Sequence, residues 1–358
     1  MLSVQAVKRF GAFSLEVALN AVPGETLMVV GESGAGKSTL LRILAGLVQP
    51  DQGCIAAGEV VLFDDQTRTD LPAWQRPIGY VPQDYALFPH LTVFENVAFG
   101  LRASGQANAR IGPKVRDLLG RFGIADLAGR HAREISGGQA QRVALARALV
   151  LDPEILLLDE PLAALDLATQ QALRGELRRL LADLPCISIY VTHQPLEAMV
   201  LGTRIAAIEH GRITQIGTRD ELLRRPRSSY VAAFLGINLF RGTIVGRERG
   251  TVRVRTPLGD LFAIDPGGDD DVFLVVRPTE ITLYRESVLP EGSARNYFAG
   301  TVVELAPEPP HGERVRVVLA THPPLVAEVT DRAVEQLALK AGTPVYATFK
   351  ATGIDVFR

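Results

Sequence analysis

Gly31-Glu32-Ser33-Gly34-Ala35-Gly36-Lys37-Ser38-Thr39 stands between an apolar, strand-like run, Thr26 to Val30, and a helix-like run that begins at Leu40-Leu41. In that setting it reads as a phosphate-binding loop. Its glycines bring backbone N–H groups up to phosphate oxygens with no side chain in between, and the N-terminus of the following helix adds partial positive charge. Lys37 is then placed to reach the β- and γ-phosphates of a nucleotide, and Ser38 to ligate Mg²⁺.

Working outward, the sequence up to about Leu235 alternates short β-branched runs with longer amphipathic stretches, the pattern of a parallel sheet covered by helices. Strand candidates are Thr26 to Val30, Ile78 to Val81, Ile155 to Leu158, Ile187 to Val191 and Ile205 to Ile208. Between Tyr85 and Glu134 the pattern turns helical, with Val115, Leu118, Leu119 and Phe122 at three-to-four spacing, so a helical insertion is expected over about 85–150. After Asn238 the character changes to short alternating segments such as Thr251-Val252-Arg253-Val254-Arg255, separated by Gly and Pro, which suits small all-β barrels. An internal repeat runs through this tail. Asn238-Leu239-Phe240-Arg241-Gly242-Thr243-Ile244-Val245 matches Asn296-Tyr297-Phe298-Ala299-Gly300-Thr301-Val302-Val303, and Val276-Arg277-Pro278-Thr279 aligns with Phe349-Lys350-Ala351-Thr352. The expected organisation is an α/β domain over 1–235, a first β repeat over 236–292 and a second over 293–358.

The totals bound the function. A chain of 358 residues has room for two or three domains, and a net charge of −2 offers no basic field for nucleic acid. No run approaches the roughly 18 apolar residues that cross a bilayer, and Met1-Leu2-Ser3-Val4-Gln5 lacks the plan of a secretory signal, so a cytosolic chain is expected. Cys54 and Cys186 are far apart without metal-ligand spacing and are expected as buried, reduced thiols.

Phosphoryl transfer to water needs the phosphates held, their charge neutralised and a water aligned. The run Ile155-Leu156-Leu157-Leu158-Asp159-Glu160 ends a buried strand in two carboxylates: Asp159 is suited to hold Mg²⁺ through its water shell and Glu160 to orient and polarise the attacking water. Ile135-Ser136-Gly137-Gly138-Gln139 precedes a helical run, Gln141 to Leu149, and forms a second anion-binding helix start. Since the chain already has one phosphate cradle, the second is expected to serve a partner molecule's nucleotide, which implies a two-fold dimer.

Taken together, residues 1 to about 235 resemble the ATP-binding cassette (ABC) ATPases, a P-loop NTPase family. The resemblance implies that Ser136-Gly137-Gly138-Gln139 closes over ATP held by the other subunit, with Ile135 replacing the more usual leucine. It implies that Gln83, in Val81-Pro82-Gln83-Asp84, contacts the metal and couples to a membrane partner. His193, in Val191-Thr192-His193, is assigned to the γ-phosphate, Asp166 to the dimer interface, and Phe10 to stacking on adenine, with Phe13 as the alternative. The segment Asp84 to Val97 is similar to importer cassettes, where this region receives a helix from a membrane subunit. The implied assembly is a homodimer on the cytoplasmic face of the membrane, with two permease subunits and, indirectly, a solute-binding protein.

Ser293-Ala294-Arg295-Asn296 opens the second repeat, whereas the first has Leu235-Gly236-Ile237-Asn238, with neither hydroxyl nor guanidinium. Arg295 offers paired N–H donors to a tetrahedral anion and Lys350 a compact charge. This stretch resembles the molybdate- and tungstate-binding domains (TOBE/MOP type, OB-like barrels) attached to molybdate importer cassettes. The resemblance matches Ser293, Arg295 and Lys350 to anion-binding positions, with Gly353 where a serine is common. It therefore implies molybdate or tungstate as cargo and as a regulatory ligand. The alternative is a related importer for sulfate, ferric iron, sugar or polyamine.

Overall fold

The computed structural model describes residues 1–285, 292–307 and 313–358. They divide into two compact units, 1–219 and 220–358.

The first unit runs β1 (Leu2–Phe10), β2 (Phe13–Ala21), β3 (Thr26–Gly31), α1 (Lys37–Leu44), β4 (Gln52–Ala57), β5 (Val60–Asp64), β6 (Thr69–Asp70) and β7 (Ile78–Val81). Three helices follow, α2 (Val93–Ala103), α3 (Asn108–Arg121) and α4 (Gly137–Leu149). Then come β8 (Ile155–Asp159), α5 (Leu167–Asp183), β9 (Ile187–Val191), α6 (Pro195–Leu201), β10 (Arg204–Glu209) and β11 (Arg212–Gly217).

One 11-stranded sheet takes the order β6-β5-β4-β1-β2-β11-β10-β3-β9-β8-β7. Its β10-β3-β9-β8-β7 half is parallel, and every residue of β3, β8 and β9 is buried. Strands covered on both faces read as continuous apolar runs, which is why they were legible. The other half departs from a purely parallel sheet: β1 pairs antiparallel with both β2 and β4, and β4 with β5. These strands bury one face only, with Leu15, Val17, Leu19 and Ala21 inward and Glu16, Ala18 and Asn20 exposed. The same alternation leaves Cys54 exposed on β4, so only Cys186 is the buried thiol that was expected of both. Leu41, Leu44, Ile155, Leu157, Ile189 and Ile208 meet in one core. A Leu157→Ala cavity there would cost about 2–5 kcal/mol.

Capping fixes where two of the inserted helices, α2 and α4, begin. Thr92 and Glu95 close a reciprocal capping box at α2, and Ser136 and Gln139 do the same at α4.

The second unit contains α7 (Arg219–Arg224, its first residue closing the first unit), α8 (Ser229–Leu235), β12 (Asn238–Glu248), β13 (Thr251–Thr256), β14 (Gly259–Ile264), β15 (Asp271–Val276) and β16 (Thr282–Tyr284). The repeat follows as β17 (Asn296–Pro307), β18 (Arg314–Leu319), β19 (Leu325–Thr330), α9 (Asp331–Gln336), β20 (Pro344–Phe349) and β21 (Ile354–Phe357). Among the described residues there are two five-stranded sheets, β14-β13-β12-β15-β21 and β16-β20-β17-β18-β19. The repeats therefore exchange their last strands: β21 pairs with β15 of the first copy, and β16 with β20 of the second.

The asparagines that open the two copies tie each copy to the edge strand of the other. Asn238 Nδ2 donates to the Val326 carbonyl at 2.9 Å and its Oδ1 accepts from Val326 N at 2.7 Å. Asn296 makes the mirror bonds to Phe262 O at 3.0 Å and from Phe262 N at 2.8 Å. Both are buried, so each amide satisfies an edge-strand backbone that would otherwise lie unpaired.

Candidate active site

The loop after β3 turns sharply into α1. Gly36 sits at φ 104°, and a Cβ there would lie 2.7 Å from Leu15 Cδ1, so only glycine fits. Lys37 is buried and folds back on its own loop, its Nζ donating to the carbonyls of Gly31 and Glu32 at 2.8 Å each. Burial lowers its pKa, against the opposing pull of Glu160 and Asp159.

Asp159, at the end of β8, accepts from Ser38 Oγ at 3.0 Å and from the Tyr80 hydroxyl at 3.4 Å. Burial raises its pKa. A hydroxyl and a carboxylate meeting at one point, with oxygen donors only, fit a hard divalent cation that keeps several of its waters. Glu160 follows in the left-handed region at φ 46°, where an ordinary residue is held only by its surroundings. Its backbone N–H is bonded to Val191 O at 3.0 Å, and its Oε2 lies 3.0 Å from His193 Nδ1. β8 and β9 are adjacent, so the residues just beyond their ends meet.

Phe10, Phe13, the phosphate-binding loop, Gln83, Glu160 and His193 line one cavity of about 640 Å³. Of the loop, Ser33, Gly34, Gly36, Lys37, Ser38 and Thr39 face it, while Gly31, Glu32 and Ala35 are not in its wall. Both candidate aromatics are present because Phe10 and Phe13 pair across the β1–β2 hairpin, with Lys8 Nζ 5.7 Å from the Phe10 ring centre.

Ser136, Gly137, Gly138 and Gln139 do not line this cavity. They pack by the start of α5 instead: a Cβ on Gly137 would meet Leu165 Cδ2 at 3.0 Å, and one on Gly138 would meet Thr169 Cγ2 at 3.3 Å. Asp166 caps α5, accepting from Thr169 N at 3.0 Å and Thr169 Oγ1 at 2.7 Å, and these bonds lower its pKa.

In the tail, Ser293 and Lys350 line a second cavity of about 400 Å³, together with Thr279, Glu280, Thr348 and Tyr284. Arg295 is exposed and is not in its wall. Sequence reading missed Glu280. Extending the repeat alignment pairs Glu280 with Gly353, and a Cβ on Gly353 would lie 2.7 Å from Glu280 Oε2. The carboxylate fills the space a serine at 353 would need.

The ABC transporter family model matches residues 15–163, and the TOBE domain model residues 292–356. A molybdate/tungstate import ATP-binding protein, WtpC of Pyrococcus horikoshii, is 37% identical over 363 residues, with 100% of both chains covered. The chain belongs to the ABC transporter ATP-binding proteins. A second relative of this ABC protein, the sulfate/thiosulfate import ATP-binding protein CysA of Bordetella bronchiseptica, is 44% identical over 292 residues, covering 80% of each chain. Among solved structures, the ATP-binding cassette MJ0796, a dimeric post-hydrolysis state bound to ADP and Pi, superposes with a TM-score of 0.52 at 29% identity. That match covers 61% of this chain and 98% of the other.

Proposed function

We propose that this ABC protein is the ATP-hydrolysing subunit of an importer for molybdate or tungstate. The observation that carries the reading is the convergence of the phosphate-binding loop, Gln83, Glu160 and His193 on one cavity, with Glu160 and His193 in contact at 3.0 Å. Backbone N–H groups of residues 34–38 and the Lys37 ammonium hold the phosphates, Lys37 leaving its two loop carbonyls to do so. Ser38, Asp159 and Gln83 hold Mg²⁺, which when bound neutralises charge on the phosphate oxygens. Glu160 accepts a hydrogen bond from the attacking water and orients it, while His193 fixes the carboxylate. Phe10 offers its exposed face to the adenine.

A second copy supplies Ser136 to Gln139 over the nucleotide; the absence of this segment from the cavity wall of its own chain supports that reading. Separate membrane subunits dock on the cytoplasmic side, against Phe88 and the half-exposed Phe99, whose rings lie 4.6 Å apart. An external binding protein delivers the cargo to them. Molybdate or tungstate is favoured over sulfate because likeness to the molybdate/tungstate relative runs through the whole tail. Ser293 and Lys350 form the tail's oxyanion contact, with Glu280 opposing and keeping affinity low.

The test has two parts. Glu160→Gln in the purified full chain lowers the ATPase rate about 10²- to 10⁴-fold while ATP still binds; hydrolysis at the wild-type rate contradicts the assigned base. In vesicles holding the full transporter, ATP drives uptake of labelled molybdate and tungstate, and preferential uptake of sulfate contradicts the cargo.

A further inference from the structure

Tyr85 lies two residues beyond Gln83, yet its side chain faces away from solvent and is only 6% exposed. Its hydroxyl donates to the carbonyl of Pro161 at 3.0 Å, and Pro161 directly follows Glu160. The backbone of the same segment is gripped from the other side. Arg147, in α4, donates to Tyr85 O at 2.6 Å and to Ala86 O at 2.7 Å, and its guanidinium lies 5.5 Å from the Phe88 ring centre. Contacts therefore run unbroken from α4, the helix capped by Ser136, through segment 85–88 to the residue after Glu160.

Backbone conformation singles out both ends of the Tyr85–Pro161 bond. Tyr85, Ala86 and Glu160 have φ of 61°, 43° and 46°, left-handed values that non-glycine residues keep only where neighbours enforce them. Arg147 enforces the first two. At Glu160 the backbone restraints are its own N–H on Val191 O, before the side chain, and, after it, Ala163 N on the Glu160 carbonyl at 3.0 Å and the Tyr85 hydroxyl on Pro161 O. Losing the Tyr85 bond removes one of the restraints that follow the carboxylate and leaves the Ala163 bond in place.

We propose that Tyr85 is a positioning residue for Glu160, and that Arg147 sets Tyr85, so that the placement of α4 and of segment 85–88 is felt at the water-activating carboxylate. Burial pushes the Tyr85 phenol up to about 12, so it remains a donor throughout the range of pH in which the protein works. The inference rests on the catalytic reading of Glu160 given above.

The experiment is steady-state ATP hydrolysis by the full chain carrying Tyr85→Phe, Arg147→Lys or both, with Glu160→Gln alongside. Rates are normalised to ATP-binding sites, so partial unfolding does not masquerade as a slower step. Tyr85→Phe keeps the ring and removes only the hydroxyl. It is expected to lower kcat about 10-fold with KM for ATP within about twofold, because the lost bond acts on orientation rather than on nucleotide binding. Arg147→Lys loses the two-carbonyl grip and is expected to do the same, and the double variant is no worse than the weaker single, since both act through one contact. A Tyr85→Phe protein with wild-type site-normalised kcat overturns the proposal, whether or not its melting temperature falls. So do single effects that multiply in the double variant. Wild-type hydrolysis by Glu160→Gln instead overturns the catalytic reading itself.

Discussion

The two cavities proposed to receive anions are built from different materials. The first is made of backbone: glycines where a Cβ would collide, a helix N-terminus, and one buried lysine already drawn onto loop carbonyls. The second is made of side chains at strand ends, Ser293 and Lys350, and shares its wall with the carboxylate of Glu280. Backbone donors are fixed when the chain folds and need no reorganisation to meet a charge, which is what catalysis at a phosphate requires. An exposed lysine beside a carboxylate is screened by solvent and partly cancelled. On the function proposed above, the first is suited to bind tightly and do chemistry, and the second to bind an oxyanion weakly.

The same substitution in both places separates them most widely. Lys37→Ala is expected to weaken ATP binding about 10²-fold, since it removes a buried charge-assisted contact, whereas Lys350→Ala weakens molybdate binding only about 3-fold. Calorimetry on the full chain reads both, and equal losses would erase the distinction. A smaller effect of opposite sign sharpens it: Glu280→Gln is expected to tighten molybdate binding about 5-fold by removing a like charge from the wall. Unchanged affinity would mean that the anion does not sit there.

The smallest effect is on stability. Burial raises the pKa of Asp159, so the folded protein holds that proton more tightly than the unfolded chain does. Above the raised pKa the ionised carboxylate opposes folding, and the opposition fades as pH falls through it. Asp159→Asn is therefore expected to raise the melting temperature of the nucleotide-free protein by about 2–4 °C at neutral pH, with the gap narrowing in acid. It should also abolish the extra stability given by Mg²⁺ with ATP. A lower melting temperature in calorimetry would contradict the sign.

What was legible from sequence follows the same division. The parallel strands β3, β8 and β9 announced themselves as apolar runs because both faces are covered, and the loop after β3 because its glycines are sterically required. The antiparallel half was missed although Leu15, Val17 and Leu19 alternate plainly with Glu16 and Ala18; a one-sided strand has half the apolar signal. The tail repeat was visible in Asn238 and Asn296, but the exchange of β16 and β21 was not, since short strands of similar alternation carry no local signal of which copy they pair with. Tyr85, Arg147 and Glu280 were invisible as site residues because each acts through a carbonyl or a neighbouring turn distant in sequence.

In the proposed dimer, two copies hold ATP between the phosphate-binding loop of one and the Ser136–Gln139 segment of the other. The direct measurement is a crosslink between chains in a Glu160→Gln background. The exposed Cys54 is replaced by serine, one population carries Ser33→Cys, the other Gly137→Cys, and the two are mixed before oxidation. A mixed-dimer band is expected to appear with ATP and Mg²⁺ and to disappear with ADP. A protein that binds ATP yet never forms that band would contradict it.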